Sequence, residues 1–592
     1  MPTRSPILNE FSHPLISERA IDEPRPLKVI YIGAGISGIL GAIEFRKRVP
    51  SIDLVIYDKN PEIGGTCQSD VPSHSYQLSF ASSTSWSQFY ASAPEILEYW
   101  KAVATKHDVT KHVHLQHTCI EARWNEDESK WKVKLLKLNA SGGAELVEDT
   151  ADVFITGTGT LNDWKWPEIK GLQDFKGALL HSANWDESFD PTGKTVAVIG
   201  GGSSGIKIVP ALAPKVKAID HYIRGKTWIS SQYCEGVMKE KHGGLPDGNF
   251  NYTPEQKEAW RKDPSAYIQY RKLLEMGLQG NFATTRSDHP QHIEVKAAFE
   301  QSMRARLTAK PEIIDHVLPD FPPLCKRLTP GPGYLEALAS PAVHVVSAPI
   351  SHVSATGICT ADGTHRPVDA IVCATGFETS PAAGFPIYGR DGANLRSKYA
   401  APHPRTYLGL CTDGFPNFLQ SLGPNSFQGA GSLLIMMEQA HRWMAQVLER
   451  LAAGNVRTFE PRRAAVDMFT GFCRAWFKRT VFTANCTSWY KTAAPGASAE
   501  ERKRGRVTGL WPGSSVHGVR ALQRVRWEDF DLEYCDGNAF GWFGNGWTVA
   551  DQERDPEGLT WYLNNGGFLN GGCSNGGSLN GNSLSGEAGR SI

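Results

Sequence analysis

An α/β fold of two Rossmann-like dinucleotide-binding domains, the second carrying a helical insertion, is predicted by three observations. The first is the run Gly33-Ala34-Gly35-Ile36-Ser37-Gly38, which follows the apolar stretch Lys28-Val29-Ile30-Tyr31-Ile32. The second is Gly200-Gly201-Gly202-Ser203-Ser204-Gly205, which follows Thr195-Val196-Ala197-Val198-Ile199. Each run opens a stretch of helical periodicity, and that strand–turn–helix context turns a weak glycine pattern into a strong one. In such a turn the first glycine makes the bend, the second lets main chain approach a pyrophosphate, and the third lets helix pack on strand. The third observation is charge. The next apolar strand after the first run leads into Asp58, a carboxylate suited to ribose hydroxyls and hostile to a 2′-phosphate. The matching strand after the second run leads into Arg224, with Lys226 close behind, a cationic pair suited to that phosphate. The first site is therefore expected to take FAD and the second NADPH.

Taken in order, residues 1–26 lack the apolar core of a signal peptide and read as a flexible N-terminal arm. Residues 27–185 read as the first part of the FAD-binding domain. They open with strand, helix and strand, then show period-2 alternation around a polar turn near 117–137, the pattern of a hairpin. The run 152–160 reads as a buried strand ending in a Gly/Thr loop. Residues 186–370 read as the NADPH-binding domain, with a helical insertion at about 230–320. There Thr253-Pro254-Glu255-Gln256 has the form of a capping box with proline at the first helical position. Asp263-Pro264 and His289-Pro290 divide the insertion into separate helices. The run 369–377 reads as a strand that returns the chain towards the first domain. Residues 371–562 are expected to complete the FAD-binding domain and the C-terminal region. Residues 563–592, an imperfect Leu-Asn-Gly-Gly-Ser repeat, hold almost no core formers and read as a disordered tail.

Lys+Arg and Asp+Glu both number 62, so no net field draws the chain to nucleic acid or to an anionic membrane. No apolar run approaches the ~20 residues of a membrane span, so no integral membrane segment is expected. The eleven cysteines are scattered without a C-x-x-C pair. That pattern argues for reduced thiols and a cytoplasmic setting, and against a metal ribbon. Nothing in the sequence fixes an oligomeric state.

Ahead of the second glycine run stands Phe175-x-Gly177-x-x-x-His181-x-x-x-Trp185-Asp186. With the two flanking glycine motifs it resembles the signature of the type I Baeyer–Villiger monooxygenases. Further matching stretches are 63–66, 70–80, 161–172, 325–338, 374–377, 415–417, 423–425 and 511–514. The chain looks most like the fungal members that oxidise polyketides and terpenoids. The resemblance implies that NADPH reduces a flavin, that O₂ reacts with it, and that oxygen is inserted beside the carbonyl of a ketone substrate. It also implies residue roles. Arg327 would be the permanent cation facing the reaction, Asp70 would pair with it and orient it, and Lys326 would join Arg224 at the NADPH 2′-phosphate. Implied flavin contacts are Gly33, Gly35, Gly38, Asp58, Gly65, Thr66, Asp70, Tyr76 and the backbone of Ile120. Implied nicotinamide-cofactor contacts are Gly202, Ser203, Ser204, Gly205, Ile206, Arg224, Lys326 and Arg327. Ser203 and Ser204 also suit plain helix caps. In that family the His181 segment couples domain motions, so His181 is not expected to act as a base. The substrate is expected to be lined by scattered loops, among them 421–435 and 481–491.

One departure stands out. Family members carry a tryptophan and a Tyr-Pro-Gly turn between the positions matching Thr66 and Asp70, whereas this chain runs directly Gly65-Thr66-Cys67-Gln68-Ser69-Asp70. A tolerated shortening, an impaired flavin site and an error in the coding sequence all account for it. Oxygenation of nitrogen or sulfur by the same flavin chemistry is the alternative enzymatic reading.

Overall fold

The computed structural model describes residues 13, 15–65, 71–139, 142–243, 248–380, 382–400, 403–494 and 496–564. The chain divides into two compact units, of which the larger holds residues 26–452 and 456–533. Its first parallel sheet runs, in spatial order, Phe418–Gln420, Val153–Thr156, Lys28–Ile32, Asp53–Tyr57 and Val113–His114. Val153–Thr156 and Phe418–Gln420 are buried along their whole length and residues 29–32 likewise, as expected of strands covered on both faces. Ile30, Phe154 and Phe418 are fully buried there, beside Trp131. The helix Ile36–Arg48 follows the first glycine run, as its periodicity predicts. The expected hairpin forms from His117–Asn125 and Lys130–Leu138, extended by Ala144–Ala151.

The second parallel sheet runs Val343–Val346, Ala218–Tyr222, Thr195–Ile199, Ala370–Cys373 and Ala178–His181. The strand read as carrying the chain back towards the first domain sits inside this sheet, between Thr195–Ile199 and Ala178–His181, and the chain beyond it joins the first sheet at Phe418–Gln420. Its four buried residues explain the inside position: Ala370, Ile371, Val372 and Cys373 need cover on both faces. Strand Ala178–His181 joins the same sheet, although the expected boundary at 185 places it in the first domain. The insertion folds as expected into helices Pro254–Lys262, Pro264–Gln279 and Pro290–Arg306. Thr253 and Gln256 form the reciprocal capping box, and Asp263 and His289 cap the next two helices.

Asn417, within the Phe415-Pro416-Asn417 motif, is fully buried and ties three stretches together. Its amide donates to Asp152 O and Arg457 O and accepts from the Phe459 N–H. The smaller unit joins described residues of the N-terminal arm to 453–455 and to the stretch from Tyr534. The arm is not loose there. Asn538 donates to Leu15 O, Arg19 donates to Asn455 Oδ1, and the Ile21 N–H donates to Trp547 O. These partners lie more than four hundred positions along the chain from the arm, which is why the sequence hides them. The expected disordered tail falls, from 565 onwards, outside the described residues. Among the described residues no helix is long and apolar enough to cross a membrane.

Candidate functional site

The first parallel sheet reverses its strand order beside Lys28–Ile32 and the second beside Thr195–Ile199, the place where open α/β sheets bind ligands. At the first switch point the chain bends at Gly33 with φ +114°, and an added Cβ would lie 2.4 Å from Gly157 O. A Cβ on Gly38 would lie 2.1 Å from Gly33 O, so the helix rests directly on the turn. Beside Gly35 an added Cβ would meet only Gly65, at 3.5 Å, which leaves a cradle of bare main chain. Asp58 is 8 % exposed; its Oδ2 accepts the Ala34 N–H at 2.7 Å and its Oδ1 accepts the Asn60 N–H at 2.8 Å. The carboxylate is thereby locked at the rim of the turn. Ile120 sits where the hairpin register slips between Cys119 and Glu121, so the ladder skips it. A bulge of that kind turns backbone groups away from their strand partner. Tyr76 closes the short turn Ser73–Ser75 and is half-buried. Thr66 and Asp70 fall outside the described residues, and with them the expected Asp70–Arg327 pair.

The second switch point repeats this geometry. Gly200 has φ +122° and an added Cβ would lie 2.3 Å from Ala374 O, while one on Gly205 would lie 1.9 Å from Gly200 O. Gly202 begins the helix Ser203–Leu212 without a side-chain cap, and a Cβ on it would meet nothing within 4 Å. The plain-cap reading of the serines is therefore not what the helix shows. The Ser203 hydroxyl instead bonds Thr329 Oγ1 at 2.8 Å, and Ile206 is fully buried beneath the helix start. Bare main chain at both helix starts, aligned with the helix dipole, fits the pyrophosphate of a dinucleotide.

The structure brings the second turn together with the stretch 325–331. Ser230 N–H donates to Thr329 O, and Ile229 and Thr329 form a parallel bridge. Lys326 Nζ donates to Lys226 O at 2.8 Å, just past exposed Arg224. Burial first, then repulsion from Arg224 and Lys503, pulls the Lys326 ammonium down to about 8. Arg327 is exposed beside it. The expectation of reduced thiols throughout fails at this point, because Cys325 is bonded to Cys486 with Cα atoms 6.3 Å apart. The partners lie 161 positions apart, a separation that spacing rules cannot detect. Both are buried.

A cavity opens at the carboxyl ends of Val153–Thr156 and Phe418–Gln420. Thr156, Thr158, Ser421, Gly423, Trp489 and Thr492 are among its lining residues. Two of the expected substrate loops thus meet there, joined by Thr379, Ser380, Thr508 and Gly509, which sequence reasoning missed. Those four lie in short irregular or extended stretches without a motif of their own. His181 is 1 % exposed and stacks on Trp164, with ring centroids 4.5 Å apart; its Nε2 lies 3.3 Å from Thr375 Oγ1. Burial lowers its pKa, which favours the neutral ring packed between Trp164 and Thr375.

The NAD(P)-binding Rossmann-like domain family matches residues 32–102. The chain is 36 % identical to the FAD-binding monooxygenase tazF of Aspergillus terreus, over 91 % of this chain and 95 % of that protein. It is 30 % identical to a Baeyer–Villiger monooxygenase of Streptomyces coelicolor, over 86 % of this chain and 92 % of that one. Among solved structures, cyclohexanone monooxygenase from Rhodococcus sp. Phi1 bound to NADP+ superposes with a TM-score of 0.70 at 25 % identity, covering 86 % of this chain and all of that one. OTEMO in complex with FAD and NADP shares the fold, with a TM-score of 0.72 at 24 % identity over 86 % of this chain and 100 % of that one. Paired nucleotide turns of opposite charge, the segment from Cys325 to Arg327 and these full-length likenesses agree: the chain belongs to the FAD-binding monooxygenases of the type I Baeyer–Villiger family.

Proposed function

We propose that this protein is an FAD-dependent monooxygenase that consumes NADPH and O₂ and inserts oxygen beside a ketone carbonyl, giving an ester or lactone. A bulky polyketide or terpenoid intermediate of secondary metabolism is the proposed substrate. The observation that carries the reading is the placement of Lys326 against the Arg224 turn with Arg327 as its neighbour. One short stretch thereby serves both the reductant and the oxygenation. The flavin, when bound, supplies oxygen activation. Gly33, Gly35, Gly38 and Gly65 would hold its pyrophosphate, with Asp58 on the ribose and the Ile120 backbone beside the ring system. Gly202, Ser203, Ser204 and Gly205 would receive the NADPH pyrophosphate. Arg327 cannot lose its proton at working pH, so it offers a fixed charge to the oxyanion developing at the substrate carbonyl. Asp70 would hold that guanidinium in orientation.

Nitrogen or sulfur oxygenation uses the same nucleotides but creates no carbonyl oxyanion, so it gives Arg327 no task. An impaired flavoprotein, the reading raised by the short loop at 66–70, would purify colourless. The test is purification followed by turnover with NADPH, O₂ and a panel of cyclic ketones. Yellow protein that gives esters or lactones by mass and NMR supports the proposal. N- or S-oxides alone, or a colourless protein that takes up no FAD, would reject it.

A further inference from the structure

Two ties join the stretches 484–494 and 496–508 to Cys325, and a strand pair closes them on themselves. Cys486 is bonded to Cys325. Lys491 is 8 % exposed; its ammonium lies 3.9 Å from Cys325 Sγ and donates to the carbonyls of Ala484, Cys486 and, at 2.8 Å, Lys503. Strand Lys491–Thr492 pairs antiparallel with Arg506–Val507 and so closes the loop between them. Within that loop a capping box of Ser498 and Glu501 starts a short helix, Ala499–Lys503. Lys503 is its last residue. Its carbonyl is thus fixed to an ammonium that itself reaches Cys325, and the residue after Cys325 is Lys326.

Three cations from three separate stretches are brought to one neighbourhood by these ties: Lys326 donates to Lys226 O at 2.8 Å, two residues past Arg224, and Lys503 is held through its carbonyl to Lys491, whose ammonium lies 3.9 Å from the neighbouring Cys325 Sγ. Repulsion from both neighbours adds to burial in depressing the Lys326 pKa. The Lys503 ammonium is paired with Glu500 Oε1 at 2.6 Å, on its own helix, with the two side chains 36 % and 64 % exposed. So exposed a pair holds its partner weakly. A flexible four-carbon stem lets Lys503 exchange that carboxylate for a more highly charged anion.

We propose that Lys503 is the third cation of the seat for the NADPH 2′-phosphate, so that the loop that carries it, as well as the nucleotide domain, selects NADPH over NADH. The inference rests on the assignment of Arg224 and Lys326 to that phosphate. The probes are adenosine 2′,5′-bisphosphate and 5′-AMP, titrated calorimetrically into the flavin-loaded enzyme. Lys503→Ala should weaken the bisphosphate about tenfold and leave 5′-AMP unchanged, as expected for one charge-assisted contact. Glu500→Gln, which removes the competing carboxylate and leaves the Ser498–Glu501 cap intact, should tighten the bisphosphate. The NADPH-to-NADH ratio of kcat/KM should follow the same order. Equal weakening of both probes by Lys503→Ala, or no change with either, overturns the proposal while Arg224→Ala still loses bisphosphate selectively. If Arg224→Ala and Lys326→Ala also leave the bisphosphate unaffected, the assignment of the whole seat falls with it.

Discussion

Replacing Gly38 and Gly205 by alanine, one at a time, should break two different half-reactions. The added Cβ would meet Gly33 O at 2.1 Å in the first variant and Gly200 O at 1.9 Å in the second. Real Cβ contacts essentially never fall below 3.0 Å, and both obstacles are backbone atoms that cannot rotate away. Each helix start must therefore retreat by about 1 Å, an overpacking that typically costs ~1–3 kcal/mol. The retreat draws the helix N-terminus away from the pyrophosphate it serves, and a displacement of about 1 Å is worth roughly a hundredfold in a positioned reaction. Gly38→Ala should purify with little bound flavin, read from the visible absorbance after gel filtration. Gly205→Ala should stay yellow, while its flavin is reduced by NADPH about a hundredfold more slowly in stopped flow. Gly471→Ala is the control: it lies in the helix Arg463–Phe477 with nothing within 4 Å, so neither property should change. Flavin loss in Gly205→Ala with normal flavin in Gly38→Ala would refute the assignment of the two turns.

Three other outcomes follow from the same geometry. Lys326 is charged below about 8 in the free enzyme, so kcat/KM for NADPH should fall as pH rises through that value. The same profile with NADH should lack this limb, and identical profiles would contradict the role of Lys326. Because folding lowers this pKa, the folded state binds fewer protons, and Lys326's contribution to stability should rise with pH between about 8 and its ordinary value. Arg327→Ala should retain FAD but lose ester or lactone formation by at least ~10²–10³, since it removes a preorganised charge; near-normal product formation would contradict that role. Cys486→Ser should lower unfolding stability by about 2–4 kcal/mol in urea titrations, given the long loop that the bond closes. An unchanged midpoint, or free thiols at both positions by mass spectrometry, would show that the bond carries no stability.

Local chemistry made much of this molecule legible in its sequence. The glycine turns, Asp58, the capping box at Thr253 and the prolines at 264 and 290 act within a few residues of themselves, so spacing reveals them. Arg224 and Lys326 stand 102 positions apart and were paired through family likeness, since neither flank announces the other. What stayed hidden depends on distant partners. Cys325 pairs with Cys486 161 positions away, and Lys491 links the Lys503 carbonyl to Cys325. The strand Ala370–Cys373 reads identically in either sheet, because burial on both faces erases the alternation that would mark its neighbours. Thr379, Ser380 and Thr508 line the cavity by virtue of where strands end, which no short motif encodes.

The central claim is insertion of one atom of dioxygen beside a ketone carbonyl. Its most direct test supplies the flavin-loaded enzyme with NADPH, a cyclic ketone and ¹⁸O₂, and locates the label in the product by fragmentation. The account predicts a lactone carrying a single ¹⁸O at the ring position, with the carbonyl oxygen unlabelled. Label in the carbonyl, label confined to hydrogen peroxide or an N- or S-oxide, or no NADPH-dependent product from yellow enzyme across the panel, would contradict it.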